Sequence, residues 1–419
     1  MVEKSGSEWQ RGWIVALVSM LGLAISTTPL YTMGVFIGPI EQDLGWTRSQ
    51  ITSGMLINSV IAVVLAPFVG LMIDRYGIRK MGLPGMTVYS IGFILLGLTG
   101  TAYGQWLLIW LVVACGSLLI KPTIWTAAVS RQFDKQRALA LAVMLSGSGV
   151  ASAVLPWLSN NLIEAYGWRG AYVALGGGFL VVAVPLMFFF LGRSGFAGRV
   201  SEPSRAELPG LPIREAMLST RFLRIALAAL VMTIAMAGLN VHFVAFTTGE
   251  GLTKNSAVWA ASCMGLASIA GRFITGYLLD RFHGPLIGGV SFALPLVACF
   301  LWLQFDGSIA SAVIIAIAIG LALGAEIDII AYLGTRYFGL KNYGTIFGTI
   351  AGLLAFGAGV GPNLAGRIYD TTKSYDLFIW GSIPAFLLAA VMIATLGRYP
   401  DFSKDVDEID VETAEAALS

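Results

Sequence analysis

Charged residues are scarce in this chain of 419 residues: Asp, Glu, Lys and Arg make up 12% of it, and 57% is hydrophobic. Soluble domains carry about 25% charged residues. A chain this long and this apolar cannot bury its hydrophobic surface in one water-soluble core, so it requires lipid as its solvent. The net charge of +2 supplies no basic surface for nucleic acid, and we expect no nucleic-acid partner.

Cysteine and histidine are rarer still, with three and two residues. The three cysteines, Cys115, Cys263 and Cys299, are scattered over apolar runs. An odd, dispersed set excludes a disulfide framework and a metal cluster. Of the two histidines, His242 has no second histidine or carboxylate at ligand spacing. The sequence therefore predicts no metal site and no cofactor.

Motifs of ATP-driven pumps and of enzymes are missing as well. The chain has no Walker loop and no nucleophile–base pair, so we expect no enzyme. No soluble signalling domain is attached, which makes a membrane sensor a remote alternative. The first apolar run, residues 12–40, is too long for the apolar region of a cleavable signal peptide.

Long apolar runs are what the sequence has in abundance. A membrane-spanning helix needs about 20 apolar residues, and we find twelve such runs. They cover residues 12–40, 49–73, 81–100, 105–130, 138–160, 169–191, 222–246, 255–279, 286–304, 308–335, 343–364 and 377–396. They predict an all-α membrane protein with twelve transmembrane helices. We expect six-helix bundles at 1–192 and 222–397, a polar cytoplasmic connector at 193–221 and an acidic cytoplasmic tail at 398–419.

The positions of Lys and Arg predict the orientation. With the N-terminus inside, the cytoplasmic segments hold 19 of the 26 basic residues, the opposite side holds 5, and two lie within the membrane. Basic residues favour the cytoplasmic side. We therefore expect both termini in the cytoplasm and an even number of helices.

An internal repeat supports two halves. Gly70-x3-Asp74-Arg75 recurs as Gly276-x3-Asp280-Arg281, and the proline of the fifth run, Pro156, recurs as Pro362 in the eleventh. Both pairs are separated by 206 residues. Two landmarks with one offset indicate duplication of a six-helix unit. Parallel repeats of this kind are typical of transporters that bind substrate between their halves.

The chain resembles the major facilitator superfamily. The stretch Gly70-x3-Asp74-Arg75-x-Gly77-x-Arg79-Lys80 matches that superfamily's loop motif between its second and third helices. Two further stretches are similar to the monocarboxylate-transporter and oxalate:formate-antiporter branch. They are Arg272-x3-Gly276 in the eighth run and Glu326-Ile-Asp328-x3-Tyr332-Leu-x2-Arg336-Tyr-Phe-Gly339 at the end of the tenth. The resemblance implies two pseudo-symmetric bundles.

The loop motif suggests a conformational latch. Glycine at position 70 permits close helix approach, and Gly77 allows a tight turn. Charges where helices leave the membrane can pair with the facing bundle. The candidate latch residues are Gly70, Asp74, Arg75, Gly77, Arg79, Asp280 and Arg281. The alternative is a cytoplasmic charge cluster that serves topology alone.

Two cations lie within predicted membrane helices. A buried charge usually faces a cavity and has a partner. Lys121, next to Pro122, can bind an anionic substrate, snorkel to the interface or form a structural pair. Arg272 matches the arginine that the resemblance assigns to the substrate carboxylate, which a guanidinium binds bidentately. The alternative for Arg272 is a structural pair with a carboxylate on a neighbouring helix.

Candidates for proton coupling are Glu326, Asp328 and His242. The two carboxylates are two residues apart on one helix, so they project about 200° apart and cannot share a face. The repeat places Lys121 opposite Ile327, between them, so a Lys121–Glu326 gate or proton-linked pair is a hypothesis. His242 can sense external pH or act as a structural hydrogen-bonding group. The alternative for the carboxylates is structural capping.

Further candidates for the substrate cavity are polar or aromatic. The first run is polar and proline-broken from Ser26 to Thr32, and irregular backbone at this depth is tolerated where it lines a cavity. Aromatic residues in membrane helices also serve ordinary packing. The candidate lining residues are Tyr31, Asn58, Trp125, Asn240 and Tyr332.

The sequence departs from the branch at two places. The branch often has an aspartate one turn before the arginine of the eighth helix, where this chain has Ser268. The oxalate antiporter has a second cation in its eleventh helix, and run 343–364 has no charge. The first departure leaves the proton site open. The second disfavours a two-cation clamp for a dicarboxylate unless Lys121 supplies the second cation.

We therefore expect a secondary active transporter for an organic anion, such as a mono- or aromatic carboxylate, working by proton symport and alternating access. An organic anion antiporter or an efflux pump is the alternative. The expected partners are the small anion, H⁺ and the lipid bilayer. We expect a monomer in a bacterial inner membrane. Substrate identity, proton against sodium coupling and the direction of transport stay open.

Overall fold

The computed structural model describes residues 6–133, 136–190 and 210–400. Most of the predicted connector, residues 193–209, and most of the tail, residues 401–419, lie outside the described residues. Within them the chain is helical, and its one β-type contact is an isolated bridge between Gly210 and Gly339. The all-α prediction is confirmed.

Nine helices and one π-helical segment, Phe179–Ala183, are described before residue 190. The nine are α1 Gly6–Ser26, α2 Thr28–Leu44, α3 Arg48–Tyr76, α4 Ile78–Gly97, α5 Tyr103–Leu118, α6 Pro122–Gln132, α7 Arg137–Leu145, α8 Gly147–Gly178 and α9 Val184–Phe190. Eight helices follow within residues 210–400. They are α10 Ile213–Leu218, α11 Thr220–Gly249, α12 Lys254–Leu279, α13 Gly284–Ala293, α14 Pro295–Leu303, α15 Ile309–Phe338, α16 Tyr343–Thr372 and α17 Asp376–Ala394.

Each of the twelve predicted runs coincides with one helix or with helices in series. Within the described residues, nine stretches are long and apolar enough to cross a membrane. One of them, Leu139–Phe190, has 52 residues and contains two predicted runs, which Gly167 separates by non-helical dihedral angles. The predicted break in the first run is present at Thr27, between α1 and α2. Twelve crossings stay a prediction.

The helix boundaries repeat with the predicted offset. Helices α12, α13, α15 and α16 each begin 206 residues after α3, α4, α5 and α7 respectively. Pro156 within α8 recurs as Pro362 within α16, and Gly45, which has a positive φ, recurs as Gly251. This repetition supports the pseudo-symmetric pair of bundles.

The two halves of the chain, residues 6–190 and 210–400, meet mainly through α3 with α16, α8 with α12, and α2 with α11. We call the side where α1 begins and α17 ends the terminal side, and the opposite side the far side. A Cβ on Gly265 of α12 would overlap the backbone of Ala153, and a Cβ on Gly359 of α16 would overlap Ser59. Glycine at these two positions allows the halves to approach closely.

The hydrogen bonds that the described residues form between the two halves lie toward the far side. They join Arg48, Ser49 and Thr52 of α3 to α16 and to Tyr375, Asn160 to Asn255, and Asn240 to Leu30. On the terminal side, the described residues form no hydrogen bond or ion pair between the halves. The halves are therefore closed against each other on the far side.

Candidate functional site

Lys121 lies in a break between two helices. Helix α5 ends at Leu118, and Pro122 begins α6, while Lys121 itself has extended dihedral angles (φ −63°, ψ 160°). Proline at the first helical position fits because it needs no amide donor there. The side chain is partly exposed. Its ammonium group has no ion-pair or hydrogen-bond partner among the residues that the structure describes.

Arg272, in contrast, is paired. Its Nη1 donates to Asp328 Oδ1 at 2.6 Å, which joins α12 to α15. The two side chains are 14% and 23% exposed, so the pair is partly accessible. The family's aspartate is absent at Ser268, and a carboxylate from the neighbouring helix pairs with the arginine instead. Sequence reasoning offered such a pair only as the alternative for Arg272.

Glu326 points elsewhere, as the predicted angular separation from Asp328 requires. Its carboxylate is 5% exposed and accepts a hydrogen bond from Thr233 Oγ1 of α11 at 2.5 Å. The hydroxyl of Tyr31, on α2, lies within electrostatic reach of both Arg272 and Glu326. Three predicted residues are thus brought together between the halves. The hypothetical Lys121–Glu326 ion pair is not formed among the described contacts.

The remaining lining candidates have protein partners. Trp125 is fully buried, its Nε1 donates to the Ile120 carbonyl at 2.8 Å, and its ring packs on Gly22. Trp125 therefore stabilises the helix break beside Lys121. The side chain of Asn58 accepts from Ser117 Oγ at 2.5 Å.

Two more candidates, Tyr332 and Asn240, also have protein partners. Tyr332 packs against Gly284 and Tyr399 on the terminal side. Asn240 donates to the Leu30 carbonyl at 3.1 Å and so joins α11 to α2 across the halves. Their role in binding substrate stays a prediction.

His242 is part of a chain of hydrogen bonds on the far side. It is 2% exposed, and its Nε2 lies 2.9 Å from the Pro362 carbonyl, which can only accept, so Nε2 donates. Tyr375 OH lies 2.7 Å from Nδ1 and accepts from Arg48 Nη1 at 2.6 Å. A neutral imidazole satisfies every bond in the chain Arg48 to Tyr375 to His242 to Pro362. This geometry favours the structural alternative for His242.

Arg48, Asp370 and Tyr375 are residues that sequence reasoning missed. Asp370 and Arg367 were not predicted to lie in a helix, because the apolar run ends at 364, whereas α16 continues to Thr372. A helix often extends beyond its apolar stretch into the interface. The offset of 206 residues held a signal, because Asp370 corresponds to Glu164 and Arg48 to Lys254. An acidic and a basic residue thus recur at both places.

The candidate latch lies on the terminal side. Gly70 lies within α3, and Gly77 turns the chain from α3 to α4 with φ +84°, where a side chain would be strained. The side chain of Asp74 lies outside the described residues. Arg79 lies over Phe188 of its own half, 4.5 Å from the ring centroid, and Arg281 over Tyr277 at 4.2 Å.

No charge of this set that the structure describes pairs across the halves. Arg75 lies over Tyr76, 5.5 Å from the ring centroid, and Asp280 ends α12. The latch role stays a prediction. No group of three His, Cys, Asp or Glu side chains that could hold a metal occurs in the described part of the chain.

Comparison with known proteins places these residues in context. The family model described as "Major Facilitator Superfamily" matches residues 13–362. Monocarboxylate transporter 13 of Rattus norvegicus is 25% identical, over 90% of this chain and 87% of its own length. Monocarboxylate transporter 12 of Homo sapiens is 23% identical, over 89% and 78%. These relatives confirm the resemblance to the monocarboxylate-transporter branch.

Two further proteins widen the comparison. The riboflavin transporter MCH5 of Saccharomyces cerevisiae is 22% identical, over 88% of this chain and 74% of its own length. Among solved structures, a bacterial homologue of the human lysosomal transporter Spinster, inward-facing and occupied, has a TM-score of 0.67 at 18% identity, covering 94% of each chain. The latter likeness shows the shared fold.

Proposed function

This chain belongs to the major facilitator superfamily and is a membrane transporter, and we propose that it moves a small organic carboxylate together with a proton. The two halves would open alternately to the two sides of the membrane. The relatives named monocarboxylate transporters support the substrate class. The charged residues of the site supply the reasons for an anionic substrate and for a coupled proton.

The observation that carries the proposal is the unequal state of the two intramembrane cations. Lys121 has no partner among the described residues, while Arg272 is bound by Asp328 at 2.6 Å. An unpaired ammonium deep in a membrane protein is costly, and an anionic ligand lowers that cost. The site therefore favours an anion over a cation. A cationic drug would meet Lys121 as a like charge.

Proton coupling follows from the Arg272–Asp328 pair. When Asp328 takes up a proton, it loses its charge and most of its attraction for the guanidinium. Arg272 then has its donors free for the substrate carboxylate, which it binds bidentately. One proton and one carboxylate thus replace one ion pair. Glu326, buried against Thr233, is the second candidate carrier.

Uptake by proteoliposomes tests the proposal. An alkaline interior provides the proton gradient, and the panel contains labelled lactate, pyruvate, oxalate, an aromatic carboxylate and riboflavin. Accumulation of a carboxylate against its gradient that a protonophore abolishes is the expected result. Exchange with preloaded vesicles but no net accumulation would indicate an antiporter. Riboflavin as the sole substrate would exclude a carboxylate.

The variant Arg272→Ala addresses the site. Loss of a charged contact to the substrate costs about 2–5 kcal/mol, so we expect uptake to fall by roughly thirtyfold or more. Arg367→Ala is the matched control, because Arg367 is exposed on the far part of α16. If Arg272→Ala transports like its parent, the anion site is elsewhere, and Lys121→Ala becomes the next variant.

We further propose that both termini lie in the cytoplasm, that the protein works as a monomer, and that it belongs in a bacterial inner membrane. The bias of 19 basic residues to 5 supports the orientation. A fluorescent protein fused at the C-terminus that folds only in the cytoplasm tests it. A dark fusion with normal expression contradicts the orientation.

A further inference from the structure

The far end of the contact between α3 and α16 contains a partly buried helix cap. Helix α3 begins at Arg48, and the first N–H groups of a helix have no partner within it. Asp370 of α16 supplies one: Oδ1 accepts from the Arg48 amide at 2.9 Å and Oδ2 from the Ser49 amide at 3.0 Å. A carboxylate at a helix N-terminus also meets the positive end of the helix dipole. Asp370 belongs to one half of the chain, and Arg48 and Ser49 belong to the other.

The local sequence is fitted to this cap. A Cβ on Gly366, one turn before Asp370, would lie 2.9 Å from the Ser49 amide nitrogen, so a side chain there would push α3 away. Asn363, another turn back, donates to the Ser49 carbonyl at 2.8 Å. One helix face thus binds both the amide and the carbonyl of Ser49. Small and polar residues at four-residue and three-residue spacing line up on that face.

The side chain of Arg48 stabilises the same contact between α3 and α16 from the side of α3. Besides its bond to Tyr375, its Nε lies 3.2 Å from Glu41, and its guanidinium lies 3.6 Å from the centre of the Tyr369 ring. The side chain is 11% exposed. Arg48 therefore binds the C-terminal half through Tyr375 and Tyr369, while its backbone is held by Asp370.

We propose that Asp370 is the latch that holds the far side closed, and that the Arg48–Tyr375–His242–Pro362 chain supports it. Opening the far side requires α3 and α16 to separate, which breaks both carboxylate bonds at once. The closed state keeps two charge-assisted bonds that the open state replaces with water. Asp370 thus sets the balance between the two states. The proposal rests on the proposed function only in requiring that the far side opens.

A cysteine reporter measures that opening without any substrate. Thr52 is fully buried one turn into α3, 3.4 Å from the Pro362 carbonyl. The reporter protein carries Thr52→Cys, with Cys115, Cys263 and Cys299 replaced by serine. A water-soluble maleimide reaches position 52 when α3 leaves α16, and the labelling rate reports the open population.

The test compares two isosteric changes in this reporter. Charged hydrogen bonds are worth about 1.5–3 kcal/mol each, so we expect Asp370→Asn to speed labelling about tenfold or more. Asp376→Asn is the matched control, because Asp376 is exposed at the start of α17. We expect its labelling rate to equal that of the reporter parent. Equal rates for Asp370→Asn and Asp376→Asn would overturn the latch.

A second variant covers the case that Asp370→Asn does not fold. Tyr375→Phe removes the hydroxyl that joins Arg48 to His242 and keeps the ring. We expect labelling about tenfold faster, as the loss of a bond to a charged group implies. Unchanged labelling would remove the supporting chain from the proposal. Because no substrate is present, failure here and failure of carboxylate symport are separate results.

Discussion

The two halves of the chain share their helix boundaries and differ in where they place charge. Lys121 of the first half corresponds, 206 residues later, to Ile327 of the second. Asp328 corresponds in turn to Pro122, which begins α6. One half therefore presents, at a helix break, an ammonium without a partner in the described part of the chain, and the other presents an ion pair on two continuous helices. The scaffold is duplicated, whereas the charged chemistry occurs once.

The far side shows the same contrast at two equivalent contacts. At α3 and α16, Asp370 binds the helix N-terminus directly. At α8 and α12, the equivalent Glu164 is exposed and accepts instead from Asn160, at 2.9 Å, and Asn160 also donates to Asn255 at 2.8 Å. Asn160 occupies the place of Gly366. Asn160 in place of Gly366 and Asn255 in place of Ser49 form the amide bridge where the other contact has a charged cap.

This contrast indicates how the halves can move. A contact held by a charged carboxylate with two amide donors costs more to break than one held by a bond between two neutral amides. The contact between α8 and α12 is therefore suited to act as the pivot, and that between α3 and α16 as the lock. Small residues such as Gly265 let α8 and α12 stay packed while they rotate.

The largest effect is expected at the ion pair that only the second half has. Asp328→Asn keeps the shape of the side chain and cannot exchange a proton. We expect accumulation driven by a proton gradient to vanish, while exchange of substrate between the two sides persists. The measurement compares accumulation of labelled substrate under a proton gradient with exchange of substrate from preloaded proteoliposomes. Glu326→Gln is the comparison, and loss of coupling in that variant alone would make Glu326 the carrier.

The second-largest effect is expected when a residue of the contact between α8 and α12 replaces its counterpart in the contact between α3 and α16. Gly366→Asn introduces a side chain that must displace the backbone at Ser49, which lies 2.9 Å from the new Cβ. Overpacking of this kind costs about 1–3 kcal/mol, so we expect the Thr52→Cys reporter to label roughly fivefold to a hundredfold faster. Asn160→Gly, the reverse exchange, removes the neutral bond to Asn255 across the halves and the bond to Glu164 within α8. Equal effects of the two exchanges would show that the contacts do not differ.

Sequence reasoning predicted the scaffold better than the site, for physical reasons. Lipid selects apolar runs of about 20 residues, and the landmarks Gly70 and Pro156 recur in the duplicate as Gly276 and Pro362. Those features are local, so the helices and the repeat were predictable. The pair of Arg272 and Asp328 depends on how α12 and α15 rotate against each other. The spacing of Glu326 and Asp328 showed that they diverge, but not which neighbour each would meet.

The contacts on the far side were harder to predict from the sequence than the Arg272–Asp328 pair. Asp370 lies beyond the apolar run, in a part of α16 that the hydrophobic pattern assigns to a loop. Its partners are backbone amides, which no side-chain motif marks. His242 was conspicuous as a rare residue, yet its partners Tyr375 and Pro362 are 133 and 120 residues away along the chain. Only the fold brings such residues together.

The smallest effect is expected at the counterpart of the latch. Glu164→Gln removes the charge that corresponds to that of Asp370 and keeps an acceptor for Asn160. Glu164 is exposed, and exposed charges contribute about 0–1 kcal/mol, so labelling of a cysteine between α8 and α12 should change less than about fivefold. Val258 of α12 corresponds to Thr52, is 2% exposed and lies one turn after Asn255, so Val258→Cys is the reporter for this contact. An acceleration as large as that of Asp370→Asn would make the two far-side contacts equal locks, and the difference between Gly366 and Asn160 would then concern packing alone.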